Sequence, residues 1–286
     1  MTILVFGKTG QLARELIRQS DVFAVGRDGA DLSDPAACGA LVGTLAPSAV
    51  INAAAYTDVD GAEAQEALAT VINGDAPGAM ARAAAELNIP FVHVSTDYVF
   101  GGSGDRPWRP SDETRPIGAY GRSKLVGELA VAAAGGTYGI IRTSWVFSAH
   151  GSNFVKTMLR RGRKRDQLSV VVDQIGGPTP AAAIAGALLR VADGLSDGDE
   201  SGIYHFAGTP WVSWAGFAQE IFAQAGLSME VQGIESSEYP TPAGRPANSR
   251  LDCRDIARVF GIEPPDWRAG LARVLTDLGY ETVSRD

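Results

Sequence analysis

Tyr120 and Lys124 stand four residues apart in a segment, Ala119 to Leu129, that reads as helical, so both side chains project from one face. A phenol with a pKa near ~10 is a poor acid at neutral pH, and a neighbouring ammonium favours the phenolate and lowers that value. The pair reads as a proton donor with its tuner. Upstream, the run Phe91 to Ser95 ends in Ser95-Thr96-Asp97-Tyr98, which sets hydroxyls at the carboxyl end of a central strand, where ligands of such sheets bind. Thr96 can hold a carbonyl oxygen beside Tyr120 and stabilise the alkoxide that forms as hydride reaches the carbon. Each piece has a plainer reading: Tyr-x-x-x-Lys recurs on exposed helices, and Thr96 can simply cap the loop after it. Their order and separation, behind a glycine turn, argue for chemistry.

A hydride needs a carrier. Strand Ile3 to Phe6 runs straight into Gly7-Lys8-Thr9-Gly10-Gln11-Leu12-Ala13 and then a helix, which is the setting of a dinucleotide fingerprint. Gly7 and Gly10 let the backbone turn tightly and approach a pyrophosphate, and the helix N-terminus adds free amides and a partial positive charge. A phosphate-binding P-loop is excluded, because its upstream glycine has no room before residue 7. After the second strand, Gly26-Arg27-Asp28 offers an arginine for the 2′-phosphate of NADP and an acid for the ribose of NAD. Arg27 comes first, which favours NADPH, with NADH the alternative.

Short β-branched runs at Ile3 to Phe6, Val22 to Val25, Ala49 to Asn52, Phe91 to Ser95 and Tyr138 to Arg142 alternate with helical stretches such as Gln11 to Arg18, Pro35 to Leu45 and Pro77 to Leu87. Pro35 behind Asp34 reads as an N1 proline after an N-cap. The pattern predicts an α/β fold, a doubly wound parallel sheet of the Rossmann type over residues 1–150. Residues 151–286 read mainly as a smaller α/β substrate lobe that can cross back into the first domain, with Tyr239 to Pro246 an irregular loop.

Of the 286 residues 45% are hydrophobic, enough for a large core, and the net charge of −8 argues against a nucleic-acid partner. The basic run Arg160 to Arg165 reads as a solvated helix end. Cys38 and Cys253 have neither disulfide nor zinc spacing. Without an export signal or a spanning apolar run, the expectation is a cytoplasmic enzyme away from membranes.

The chain resembles the extended short-chain dehydrogenase/reductases through Gly7 to Ala13, Asn52-Ala53-Ala54-Ala55, Thr96 and Tyr120-Gly121-Arg122-Ser123-Lys124. More narrowly it is similar to the dTDP-4-dehydrorhamnose reductase family. Phe6 to Leu12, Asn52 to Thr57, Val94-Ser95-Thr96-Asp97-Tyr98-Val99-Phe100 and Arg142-Thr143-Ser144-Trp145-Val146-Phe147 carry that likeness. So do Asp173 to Thr179, Gly202 to Phe206 and Arg245-Pro246-Ala247-Asn248-Ser249.

The resemblance implies reduction of the C4 keto group of a dTDP-linked deoxyhexulose, giving dTDP-L-rhamnose, with NADPH or NADH as donor. It implies that Thr96 and Tyr120 bind the keto oxygen, Tyr120 donating the proton, while Lys124 holds the ribose. Gly10, Gln11 and Leu12 would cradle the pyrophosphate and Asp31 and Leu32 border the adenine. Ala53, Ala55, Tyr56 and Thr57 would line the cofactor, and Asp97 and Trp145 touch the sugar. Ala13 replaces a common third glycine, and Gly177 stands where relatives often carry a polar or basic residue. Some relatives dimerise through magnesium, but those ligands do not align here, so metal and subunit number, monomer or homodimer, stay open. A dehydratase would carry a glutamate at position 98, where this chain has Tyr98. Another nucleotide-sugar 4-ketoreductase or epimerase, and a non-catalytic regulatory subunit that binds NADP, remain as rival readings. Thr96, Tyr120 and Lys124 favour catalysis.

Overall fold

Leu4 and Phe6 project from one side of the first strand and Val5 from the other, and all three are fully buried. A strand apolar on both faces belongs inside a sheet covered twice, and the computed structural model, which describes residues 2–164 and 166–281, has that form.

The chain opens with β1 (Ile3–Phe6), α1 (Gln11–Gln19), β2 (Val22–Val25), α2 (Pro35–Leu45) and β3 (Ala49–Asn52). There follow α3 (Val59–Ala64), α4 (Glu66–Thr70), a π turn (Val71–Asp75), α5 (Ala76–Glu86), β4 (Phe91–Thr96), a 3-10 turn (Asp97–Val99), α6 (Ala119–Ala132) and β5 (Tyr138–Thr143). Beyond these come β6 (Val146–Phe147), α7 (Phe154–Gly162), β7 (Gln167–Val171), β8 (Ile175–Gly176), β9 (Thr179–Pro180), α8 (Ala181–Ser196) and β10 (Gly202–His205). The last are β11 (Val212–Ser213), α9 (Trp214–Gln224), β12 (Glu230–Ile234), β13 (Asn248–Ser249), α10 (Arg254–Phe260) and α11 (Trp267–Asp277). Asp34 caps α2 by accepting from the Ala37 amide at 3.0 Å, with Pro35 at the first helical position as expected. Arg160 and Arg161 lie in the last turn of α7, whereas Arg165 falls outside the described residues.

One six-stranded parallel sheet has the order β2-β1-β3-β4-β5-β10. The order reverses between β1 and β3, and the crevice at the carboxyl ends of such strands is where ligands settle in open α/β sheets. Helices α1, α8 and α10 cover one face and α2, α5 and α6 the other. Both α8 and β10 come from the chain after residue 151, so it returns to the large sheet.

The remaining elements form a second body. Here β7 pairs with β12, β8 joins β11 and β13, and Phe147, Val155, Leu159, Phe217, Ile221, Trp267 and Leu271 fill a separate core among α7, α9 and α11. No described helix is long and apolar enough to cross a membrane.

Candidate active site

The glycine turn needs its first glycine for a backbone reason. Gly7 has φ +116°, which L side chains rarely adopt, and a Cβ there would press at 3.4 Å on Ala13 Cβ and the Ala53 carbonyl. Ala13, fully buried in this packing, fits where a third glycine is common. At Gly10 a Cβ would meet nothing within 4 Å, so the residue borders open space, and no side chain caps α1 there. The first-turn amides of α1 are thus left without a side-chain acceptor beside an open crevice, which fits the phosphates of a dinucleotide. The Gln11 side chain is engaged elsewhere: its Oε1 accepts from Ser148 Oγ at 2.9 Å and Asn153 Nδ2 at 2.7 Å, tying the turn to the second body. What Gln11 and Leu12 can give a phosphate is backbone N–H.

Around that turn the structure gathers most of the residues singled out from the sequence. Arg27 is exposed just past β2, with Asp28 beside it. The Lys8 stem lies over the same spot, 3.5 Å from where a Gly26 Cβ would be, so two cations flank the end of β2. Asp31 accepts from the Ser33 amide at 2.9 Å, and that bond leads in holding its carboxyl below the usual carboxylate range. Leu32 is buried in the core, which leaves little of its side chain for a ligand. After β3, Ala53, Ala55 and Tyr56 are partly exposed and Thr57 is exposed, an open strip along the crevice.

Tyr56 is fixed by a residue the sequence reading passed over. Asn73, in the π turn, accepts from the Tyr56 amide at 2.8 Å and donates to its carbonyl at 3.0 Å and to Ser123 Oγ at 3.0 Å. Ser123 then donates to the Tyr120 carbonyl at 2.8 Å, so one asparagine joins the strip after β3 to α6. No spacing in the sequence marks Asn73. Gly121 and Gly127 let α6 close down, since a Cβ on either would strike the backbone of Tyr98 or of Asn73. Glu63 accepts from the Ala119 amide at 2.8 Å and so caps α6.

Thr96, Asp97 and Tyr120 come together at the end of β4. Thr96 is 7% and Asp97 2% exposed, whereas Tyr120 is half-buried, its ring edge-on to Tyr98 with centroids 5.6 Å apart. The Thr96 hydroxyl caps the 3-10 turn by accepting from the Tyr98 amide at 3.2 Å, and donates to Asp97 Oδ1 at 3.1 Å. Capping and site placement therefore coexist. Burial, then the Asp97 charge, pushes the Tyr120 phenol up to about 12, while contact with Thr96 draws it down. The lowering expected from Lys124 is not among these causes. Lys124 Nζ donates to the Val94 carbonyl at 2.7 Å and lies 3.2 Å from His93 Nε2, and burial brings the amine down to about 8.

Asp97 is a buried carboxylate without full compensation. Its Oδ2 has no hydrogen-bond partner, and desolvation lifts it to about 6 against the pull of Ser249 and Thr96. Trp145 has φ +49°, a strained setting for a bulky residue, and stacks on Trp214 with centroids 3.6 Å apart. Glu128, one turn beyond Lys124, accepts from Arg142 and Ser95 in the core. The i,i+4 spacing of Lys124 and Glu128 was readable in the sequence, and so was His93 as a polar residue within the apolar run Phe91–Val94. Among the described residues no group of three or more His, Cys, Asp or Glu could hold a metal ion.

Residues 1–280 match the family model described as the RmlD substrate binding domain. The chain is 43% identical to the dTDP-4-dehydrorhamnose reductase of Sinorhizobium fredii, over 98% of this chain and 99% of that one. The chain belongs to the dTDP-4-dehydrorhamnose reductase family. Two solved members of that family superpose closely. The Clostridium acetobutylicum dTDP-4-dehydrorhamnose reductase matches with a TM-score of 0.92 and 35% identity, over 98% of this chain and all of the other. The Bacillus anthracis enzyme, solved in complex with NADP, gives 0.91 and 33% over 96% and 99%.

Proposed function

We propose that this chain is an NADPH-dependent reductase acting on the C4 keto group of dTDP-4-dehydro-L-rhamnose to give dTDP-L-rhamnose, with Tyr120 as proton donor. The observation that carries the reading is the meeting of Thr96, Asp97 and Tyr120 at the end of β4, on the crevice opened by the Gly7–Gly10 turn. The family's names supply the substrate class, and a relative solved with NADP supports the choice of dinucleotide. The same reading makes residues 1–150 the dinucleotide-binding part and residues 151–286 mainly the substrate lobe. It places the enzyme in the cytoplasm, where reduced nicotinamide is kept available.

The bound dinucleotide would supply the hydride. The backbone amides of Gly10, Gln11 and Leu12 hold its pyrophosphate, Arg27 its 2′-phosphate, and Ala53, Ala55, Tyr56 and Thr57 its flank, with Asp31 and Leu32 at the adenine end. Lys124 faces the ribose. The Thr96 hydroxyl and the Tyr120 phenol hold the keto oxygen, and Tyr120 donates its proton to that oxygen as charge develops there. A phenol held up near 12 keeps its proton in the resting site and is a poor leaving acid until an alkoxide forms beside it. Asp97 and Trp145 orient the sugar.

The test is oxidation of NADPH and NADH by the purified protein with dTDP-4-keto-6-deoxyglucose, in the presence or absence of a 3,5-epimerase. Turnover only with the epimerase supports the rhamnose-forming assignment. Turnover without it identifies a different nucleotide-sugar 4-ketoreductase, and cofactor binding without turnover in either mixture identifies a non-catalytic binding subunit.

A further inference from the structure

Asn52, His93 and Lys124 come from β3, β4 and α6 and meet in the core, and their hydrogen atoms do not fit together if the lysine is charged. Asn52 Oδ1 accepts from the Ala54 amide at 3.1 Å, which leaves Nδ2, a donor only, 3.2 Å from His93 Nδ1. At the other end of the ring, Lys124 Nζ lies 3.2 Å from Nε2 and donates to the Val94 carbonyl at 2.7 Å. An imidazolium would turn an N–H against a donor at both ends. Burial drives the fully buried His93 well below the ordinary histidine range, and a charge on Lys124 would push it further down.

A neutral ring has two forms. With the proton on Nδ1, the ring meets the amide hydrogens of Asn52 head-on. With the proton on Nε2, Nδ1 accepts from Asn52, and the Nε2–H requires a lone pair on Nζ. An uncharged amine has that lone pair and keeps two N–H bonds, one of which serves Val94. This is the one arrangement in which every contact joins a donor to an acceptor.

His205 shows the opposite case in the same molecule. Its Nδ1 lies 3.0 Å from the Trp108 carbonyl, which only accepts, and its Nε2 faces the Arg142 guanidinium at 3.5 Å, which only donates. That ring carries its proton on Nδ1, and both partners are satisfied with the arginine charged.

We infer that His93 is a positioning residue that favours the uncharged amine of Lys124 in the ligand-free protein, so that at alkaline pH the lysine gains a proton when a bound dinucleotide draws it off the ring. This rests on the reading of Lys124 as a cofactor-facing group. The proton comes from water, and the ring keeps its own Nε2–H throughout.

The surroundings agree. Burial lowers Lys124 and Glu128, one turn on, pulls it back up. Glu128 is itself bound to Arg142 from β5 and Ser95 from β4, which leaves it a weakened partner for the lysine. Of the other titratable groups nearby, Tyr120 sits one turn earlier on α6 and Asp97 accepts from the Thr96 hydroxyl.

Long-range proton–nitrogen correlation of the histidine rings and a titration followed at the lysine ε-carbons test the inference in the ligand-free protein, without turnover. Nε2–H is expected at His93 and Nδ1–H at His205, with Lys124 titrating at least ~1.5 pH units below the ordinary lysine value. Nδ1–H at His93, or a Lys124 midpoint at the ordinary lysine value, overturns the inference. Asn52→Leu removes the opposing donor, so the Nδ1–H form becomes available and the Lys124 midpoint should rise by about one unit. A midpoint unchanged or lower would assign the shift to burial alone and overturn the role of His93. In the wild type, NADP+ should raise the midpoint and take up a proton at alkaline pH, seen by calorimetry in buffers of different ionisation enthalpy. A midpoint that NADP+ leaves unmoved overturns the cofactor-facing reading of Lys124 instead, and with it the coupled proton.

Discussion

Arg142 grips Glu128 with two parallel hydrogen bonds, Nε to Oε1 at 2.9 Å and Nη2 to Oε2 at 2.6 Å, and both side chains are at most 2% exposed. The pair joins β5 to α6 one turn from Lys124. Removing one partner of a buried ion pair leaves an uncompensated charge, so Glu128→Ala should lower stability by about 3–5 kcal/mol in denaturant unfolding. A paired change to apolar residues, Glu128→Leu with Arg142→Met, should recover most of that loss. Equal destabilisation by single and double variants would contradict this account.

Tyr120→Phe keeps the ring against Tyr98 and loses only the hydroxyl. NADPH affinity, followed by fluorescence, should stay within about twofold, while kcat should fall by roughly 10²–10⁴. A variant with full turnover would remove Tyr120 from the chemistry.

Lys8 and Arg27 flank the end of β2, where the proposed reading sets the 2′-phosphate of NADPH. In Lys8→Ala and Arg27→Ala, kcat/KM for NADPH should drop by about 10–100-fold, the range of a lost charge-assisted hydrogen bond, with that for NADH nearly unchanged. Parallel losses for the two cofactors would show that neither residue reads the phosphate.

Asp97 should leave a mark on stability against pH. Its carboxyl is lifted from 3.8 to about 6, so the folded protein holds this proton more tightly than the unfolded chain. The contribution is fully present below about pH 4 and is lost as pH rises through 6. Asp97→Asn should flatten that slope and raise stability at pH 8 by on the order of 1–3 kcal/mol. Unfolding midpoints across pH 4–8 measure it, and an unchanged slope would mean that Oδ2 is solvated in solution.

Trp214 backs Trp145, which is held in a strained backbone setting. Trp214→Ala should raise the KM for the sugar nucleotide by about tenfold, the order of a lost aromatic pair, and leave the KM for NADPH alone. An equal effect on both constants would point to a general loosening of the second body.

The large sheet was legible because its strands are apolar on both faces, and five of its six strands stand within a residue of where the alternation of runs puts them. The helical run from Val59 to Asp75 was not. It is short, broken by a π turn and stabilised through Asn73 and Glu63, whose partners lie about fifty residues away. The candidate site divides along similar lines. Thr96, Tyr120 and the Gly7–Gly10 turn announce themselves by local spacing, whereas the setting of Lys124 depends on β3 and β4 supplying Asn52 and His93 to one point, which periodicity cannot reveal. The expected lowering of Tyr120 by Lys124 came from the i,i+4 geometry alone. Burial of the phenol is the larger effect.

The return of the chain to the large sheet limits how such a protein can be recombined. A cut after residue 150 would strip α8 from Val5, Ile51 and Ile141 and leave β5 as an unpaired edge, open to another chain. Arg142 would also lose His205. The two halves are thus not cassettes, and a hybrid of two relatives must exchange α8, β10 and α10 together with the first half.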